Sequence, residues 1–137
     1  MSLASTVKLK SGDKDKGLGS GETDYSVSLQ VSKTFDPISV HFNVGFTFIG
    51  EPENEDVDDV IFYNFAIEYE LIKQLVLVGE LTGQTNSDPT ASDDPMEVLF
   101  GLVYAMNSHV TWDGAMGFGL TRASPDIRIT SGITYEF

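Results

Sequence analysis

Ile38-Ser-Val-His-Phe-Asn-Val-Gly-Phe-Thr-Phe48 puts an apolar residue at every even position and a small or polar one at every odd position. A helix would scatter these residues around its circumference. A pleated strand sends alternate side chains to opposite faces, so the stretch reads as a strand with one greasy and one polar side. Working outward, Tyr25, Val27, Leu29 and Val31 face away from Ser26, Ser28, Gln30 and Ser32 on the upstream side. Downstream, Ile61, Tyr63, Phe65, Ile67 and Tyr69 oppose Asn64, Ala66, Glu68 and Glu70, with only Phe62 out of place. The same alternation closes the chain in Ile127-Arg-Ile-Thr-Ser-Gly-Ile-Thr-Tyr-Glu-Phe137.

Composition narrows the function classes. The 137 residues make one domain or less. With 41% hydrophobic residues the chain has enough apolar surface to bury or to give to lipid. A formal net charge of −13 repels phosphates, which excludes nucleic acid as a partner. The absence of cysteine rules out a disulfide framework and a thiolate metal site. No apolar run reaches the roughly 18–20 residues of a membrane helix, so any spanning must be done by strands. Met1-Ser2-Leu3 lacks the basic region and apolar core of a secretory signal. Residues 1–3 therefore read either as a start added to a mature chain or as the edge of a fragment cut from a longer one.

Turn residues divide the chain into eight expected strands, Leu3–Lys10, Thr23–Lys33, Ile38–Ile49, Val60–Glu70, Gln74–Thr82, Met96–Met106, Val110–Leu120 and Asp126–Phe137. Several run to about ten residues, the length that crosses a bilayer, against a mean of about 5–6 in soluble proteins. The connections alternate in size. Thr34-Phe35-Asp36, Leu71-Ile72-Lys73 and Asn107-Ser108-His109 are expected as tight turns. Residues 11–22, 50–59 and 85–95 are long and polar, and 121–125 is of middling length. Successive hairpins alternate between two rims, so all long loops fall on one rim and all tight turns on the other, as in outer-membrane barrels.

Alternation alone leaves open which face points inward. In a soluble barrel or sandwich Phe42, Phe46, Phe65 and Phe100 would form the core. Three features favour the inverted arrangement. The strands are long, the loops are asymmetric, and the polar face uses small residues (Ser26, Ser28, Gly45, Ala66, Gly101, Ala115, Gly117, Gly119) where a solvated face favours Lys and Glu. Tyr25, Phe35, Phe48, Tyr69, Tyr104, Trp112, Tyr135 and Phe137 also gather near strand ends, where interface girdles form. The expected fold is all-β, an antiparallel up-and-down (meander) β-barrel of about eight strands of outer-membrane type. Residues 1–137 then form either a single β-barrel domain or the C-terminal part of a larger barrel. Val76, Val78, Leu99 and Val103 are the exceptions, falling on the inward side.

Several segments together resemble the outer-membrane β-barrel family described as "putative MetA-pathway of phenol degradation", whose members are transporter-like. They are Gly12-Asp13 with Lys16-Gly-Leu-Gly-Ser-Gly21, Thr23-Asp-Tyr-Ser-Val-Ser-Leu29, Ser32-Lys33, Asn43-Val-Gly-Phe-Thr-Phe48 and Asp58-Asp59. Leu77-Val-Gly-Glu-Leu81, Gly117-Phe-Gly-Leu120, Ala123-Ser-Pro-Asp126 and Gly132-Ile-Thr-Tyr-Glu-Phe137 continue the series. The resemblance implies an outer-membrane protein of a Gram-negative bacterium linked to uptake of aromatic molecules, with further strands upstream. It supplies no catalytic residues. A terminal aromatic is similar to the signal read by barrel-assembly machinery, which makes Phe137 the expected assembly signal.

Candidate chemistry is sparse. Gly17-Leu-Gly-Ser-Gly21 is followed by a strand where a phosphate loop requires a helix N-terminus. His41 lies on the polar face with no Ser, His and Asp grouping around it, and His109 lies in a turn. Glu53, Glu55, Asp56, Asp58 and Asp59 offer oxygen ligands for Ca²⁺ but lack the spacing of an EF-hand, so a solvated acidic loop is the plainer reading. Lys8, Lys10, His41, Glu68, Glu80, Glu97, Asp113 and Arg128 would line the lumen, either selecting solutes or bridging one another.

The leading expectation is a passive channel or transporter for small, including aromatic, molecules, with no enzymatic activity and no cofactor. Its partners would be outer-membrane lipid or detergent and the assembly machinery, with a homo-oligomer left open. The alternatives are a soluble β-barrel or sandwich holding an apolar ligand, and a structural outer-membrane barrel without transport.

Overall fold

The computed structural model describes residues 1–10, 21–51 and 56–137. Eight strands follow one another, β1 (Ser2–Lys8), β2 (Asp24–Phe35), β3 (Ile38–Phe48), β4 (Val60–Ile72), β5 (Leu75–Gln84), β6 (Met96–Ala105), β7 (Val110–Gly119) and β8 (Ile127–Tyr135). Each pairs antiparallel with the next, giving one eight-stranded meander in the order β1 to β8. Among the described residues there is no ladder between β1 and β8, so the sheet is open.

The expected strands are all present, with shifted ends. β4 runs through two of the three residues expected as a turn, and the chain reverses instead at Lys73-Gln74. A register shift between Glu70 and Ile72 lets β4 bend while its backbone keeps pairing with β5. Likewise β2 continues to Phe35 and leaves only Asp36-Pro37, joined by a cis peptide bond, before β3. At the third tight turn the Asn107 carboxamide oxygen accepts from the backbone N–H groups of His109 and Val110, folding residues 106–109 back on themselves.

Exposure shows which face is inside. Along the middle of β4 the apolar Ile61, Tyr63, Phe65 and Ile67 are exposed, while Phe62, Asn64, Ala66 and Glu68 between them are partly shielded. In a single curved sheet, side chains crowd on the concave side and splay on the convex one. The polar face is therefore concave and the apolar face convex. Among the described residues Val60, at 7% exposure, is the only buried hydrophobic residue, whereas Phe100, Ile129 and Ile133 are 58%, 71% and 74% exposed. A soluble sandwich needs a second layer against this apolar surface. The described fold has one sheet.

The convex face is sized for a bilayer. β3 spans Ile38 to Phe48, about 34 Å along the strand, or about 26 Å in height at a tilt near 40°, close to the roughly 25 Å apolar band of outer-membrane barrels. Tyr25 stands opposite Phe48 near the long-loop rim. Tyr104 stands opposite Trp112 near the tight-turn rim. Within the band Lys33 is the one cation on the convex face of the described strands; it sits toward the end of β2, with its ammonium 5.7 Å from the Phe35 ring.

Candidate functional site: the concave polar face

Register sets the site. Gln30, Asn43, Asn64, Thr82 and Glu97 stand opposite one another in successive ladders, making a polar row across five strands. The adjacent row contains Ser32, His41, Ala66, Glu80, Leu99, Gly117 and Arg128. Sequence reasoning nominated the charged members of these rows but passed over Gln30, Asn43, Asn64 and Thr82. Counting outward from the tight turns would have aligned them.

The concave side chains bond chiefly to one another. Ser26 Oγ and Thr47 Oγ1 share a 2.8 Å hydrogen bond, and His41 Nδ1 lies 2.9 Å from Ser32 Oγ. The Asn64 carboxamide donates to the Glu80 carboxylate. Lys8 pairs with Asp24 at 2.6 Å, and Arg128 reaches past β7 to Glu97 at 2.8 Å. That last contact crosses Gly117, where a Cβ would sit 3.6 Å from Glu97 Oε2 and 3.7 Å from Arg128 Cβ. Its angle does not make a hydrogen bond, so Glu97 Oε2 is matched by charge alone.

Phe62, the residue out of phase in the sequence, has a steric reason to be here. It stands opposite Gly45, and a Cβ at Gly45 would lie 2.2 Å from its ring. The ring occupies the space that the glycine leaves empty.

Seven of the eight residues expected to line the lumen thus share one face; Lys10 lies beyond the end of β1. Lys8, Glu97, Asp113 and Arg128 lie toward the ends of the sheet; His41, Glu68 and Glu80 lie nearer its middle. His41 Nε2 is 3.7 Å from Glu68 Oε1, and Asp113 is opposite Gly132, where a Cβ would come within 2.7 Å of its carboxylate. His41 Nε2 and Asn43 Oδ1 have no hydrogen-bond partner among the described residues. Both face the concavity, where water can serve them.

The chain matches the family model described as "Putative MetA-pathway of phenol degradation" over residues 1–137. It belongs to that family. No curated protein matches it. A phenol-degradation family member with an all-β meander and an apolar convex face agrees with a membrane β-barrel.

Other features of this family member lie at the rims. Glu53 and Glu55 of the candidate Ca²⁺ loop fall outside the described residues. Asp59 accepts a hydrogen bond from Ile49 N, and Asp58 donates its backbone N–H to the Ser87 carbonyl. Among the described residues no group of three or more acidic, His or Cys side chains converges as a metal site would. In the β5–β6 loop, hydrogen bonds from the Thr90 hydroxyl and then its backbone N–H hold the Asp88 carboxyl below its ordinary range. Phe137 lies fully exposed beyond β8 at the tight-turn rim, its ring 5.7 Å from that of Tyr135. His109 Nδ1 donates to the Glu136 carbonyl nearby.

Proposed function

We propose that this chain is wall and loops of an outer-membrane β-barrel in a Gram-negative bacterium, through which small molecules, aromatic ones among them, pass by diffusion. No reaction is catalysed and no cofactor is required. The observation carrying this reading is the inverted exposure, with phenylalanines and isoleucines on the convex side and the hydrogen-bonded polar rows on the concave side. Hydrocarbon is the solvent that such a convex face suits. The family description supplies the aromatic class of solute. On this reading the exposed Phe137 engages the assembly machinery, and lipid or detergent covers the convex face.

Reconstitution into liposomes tests the proposal. Swelling in small sugars and in a simple phenol should exceed that of empty vesicles. Firm insertion without permeation would leave a structural barrel. A monodisperse, detergent-free monomer would remove the membrane reading altogether.

A further inference from the structure

β5 and β6 carry the apolar part of the concave face, and the registers show what surrounds it. Val76 stands opposite Val103, Val78 opposite Gly101, and Leu99 opposite Glu80. Beyond β5, Val76 and Val78 face Glu70 and Glu68 on β4. Beyond β6, Val103 faces Asp113 and Gly101 faces Ala115 on β7. Four strands thus present an apolar floor with carboxylates on three sides, Glu68 and Glu70 along one flank, Asp113 on the other and Glu80 at the end toward the long loops. At spacings of about 4.8 Å between strands and about 6.7 Å between same-face neighbours, the frame measures about 14 Å by about 13 Å. A benzene ring with one short substituent fits inside it, and the substituent reaches a carboxylate.

The floor is recessed. Gly101 and Ala115 put almost no side chain at its centre, while Val78, Leu99 and Val103 around them are half-buried. A depression lined by Ser39, Glu68, Glu70 and Val76 opens at the tight-turn end, and another lined by Glu80, Thr82, Glu97 and Arg128 opens at the long-loop end.

Charge selects the occupant. Among the described residues Lys8 is engaged by Asp24 and Arg128 by Glu97, and neither Lys nor Arg pairs with Glu68, Glu70, Glu80 or Asp113. His41, with Nε2 3.7 Å from Glu68 Oε1, is the one basic group beside the frame among the described residues. The Asn64 carboxamide donates to Glu80, a neutral contact that leaves the charge of the carboxylate uncompensated. Carboxylates accept hydrogen bonds and donate none. An anionic ring brought onto this floor would meet like charge on three sides. A cation would meet its complement there and keep its apolar body on the valines and Leu99.

Resting on the diffusion reading above, we infer that the concave face of β4 to β7 is a subsite for small aromatic cations, the apolar floor holding the ring and the carboxylate frame its ammonium group. Such ions are favoured over aromatic anions on the way through.

Block of ionic current through the inserted protein in planar bilayers tests this. Benzylammonium should reduce the potassium current at concentrations about tenfold below those needed with benzoate, or with methylammonium, which lacks the ring. Glu80→Gln keeps an acceptor for Asn64 but removes the charge, and Leu99→Gln keeps the bulk but loses apolar surface; each should weaken the block about threefold or more. Asp88→Asn, out on the rim, should leave it unchanged. Equal block by benzoate would overturn the inference by showing that the frame does not discriminate charge. Equal block by methylammonium would overturn it by showing that the floor holds nothing, and so would a current that benzylammonium leaves untouched. Firm insertion without conductance would instead sink the diffusion reading. Saturation-transfer NMR with benzylammonium and benzoate in detergent micelles then decides the subsite, which falls if the two ions bind alike or if E80Q changes neither.

Discussion

β2 to β4 and β5 to β6 build the same wall under different rules. In β2 to β4 the concave face is hydrophilic, with Ser26, Ser32, His41, Thr47 and Asn64 held in hydrogen bonds. In β5 and β6 the concave face carries Val76, Val78, Leu99 and Val103, all half-buried, beside Glu80, Thr82 and Glu97, so these strands are apolar on both sides over part of their length. The convex face is apolar in both regions, as Phe42, Phe65, Leu81 and Phe100 show. The outer constraint is therefore strict and the inner one loose. Lipid admits little but hydrocarbon, whereas an enclosed concave face accepts water, paired charges or apolar side chains packed on one another.

Arginine substitution gives the sharpest way to break this contrast. Phe65→Arg places a cation on the convex face in mid-strand and should cost about 2–4 kcal/mol, abolishing insertion as read by resistance to urea extraction. Val78→Arg, on the concave face of the other region, should insert normally. Equal damage from both would mean that β5 meets lipid on both sides.

Glycines sharpen the comparison at a smaller scale. Gly45→Val in β3 drives a side chain into Phe62 and to within 2.7 Å of the Val27 carbonyl, and should destabilise by about 1–3 kcal/mol in chemical denaturation. Adding Phe62→Ala should restore only part of the loss, because the backbone contact remains. Gly79→Ala in β5, where a Cβ meets nothing within 4 Å, should lie within about 0.5 kcal/mol of the parent. A costly Gly79→Ala would show that something covers this part of the convex face.

Breaking the Arg128–Glu97 pair should matter less for stability than for permeation. Arg128 is 47% exposed, so Arg128→Ala should cost under about 1 kcal/mol while raising cation over anion permeability in reversal-potential measurements. The smallest effect belongs to Asp88. Its carboxyl titrates lower in the folded loop than in an unfolded chain, so its contribution is present above the unfolded value, about pH 4, and is lost as pH falls through the folded one. Proteolytic protection of residues 85–95 should fade in acid. Thr90→Ala should flatten that dependence.

The sequence made the meander readable because period-2 sorting is strongest where one face must meet hydrocarbon. Ile38 to Phe48 is nearly the same in the expected and observed strands. Boundaries slipped where pairing continued through polar or bulged residues, as at Glu70 to Ile72. The polar face was legible as a face, whereas its contacts were not. Arg128 finds Glu97 across an intervening strand, and Phe62 finds Gly45 through a register that only pairing fixes. Such partners are far apart in sequence, and local periodicity carries no information about them.

Gly117 has a mechanical consequence. Because it stands between Glu97 and Arg128 without a side chain, the two charges clasp β6 to β8 over the back of β7. A sliding step of β7 by one residue would swing Met116 or Phe118 into that gap and prise the clasp apart, so the pair acts as a detent against slippage. Alanine fits beneath it; any longer side chain would leave the strand free to creep.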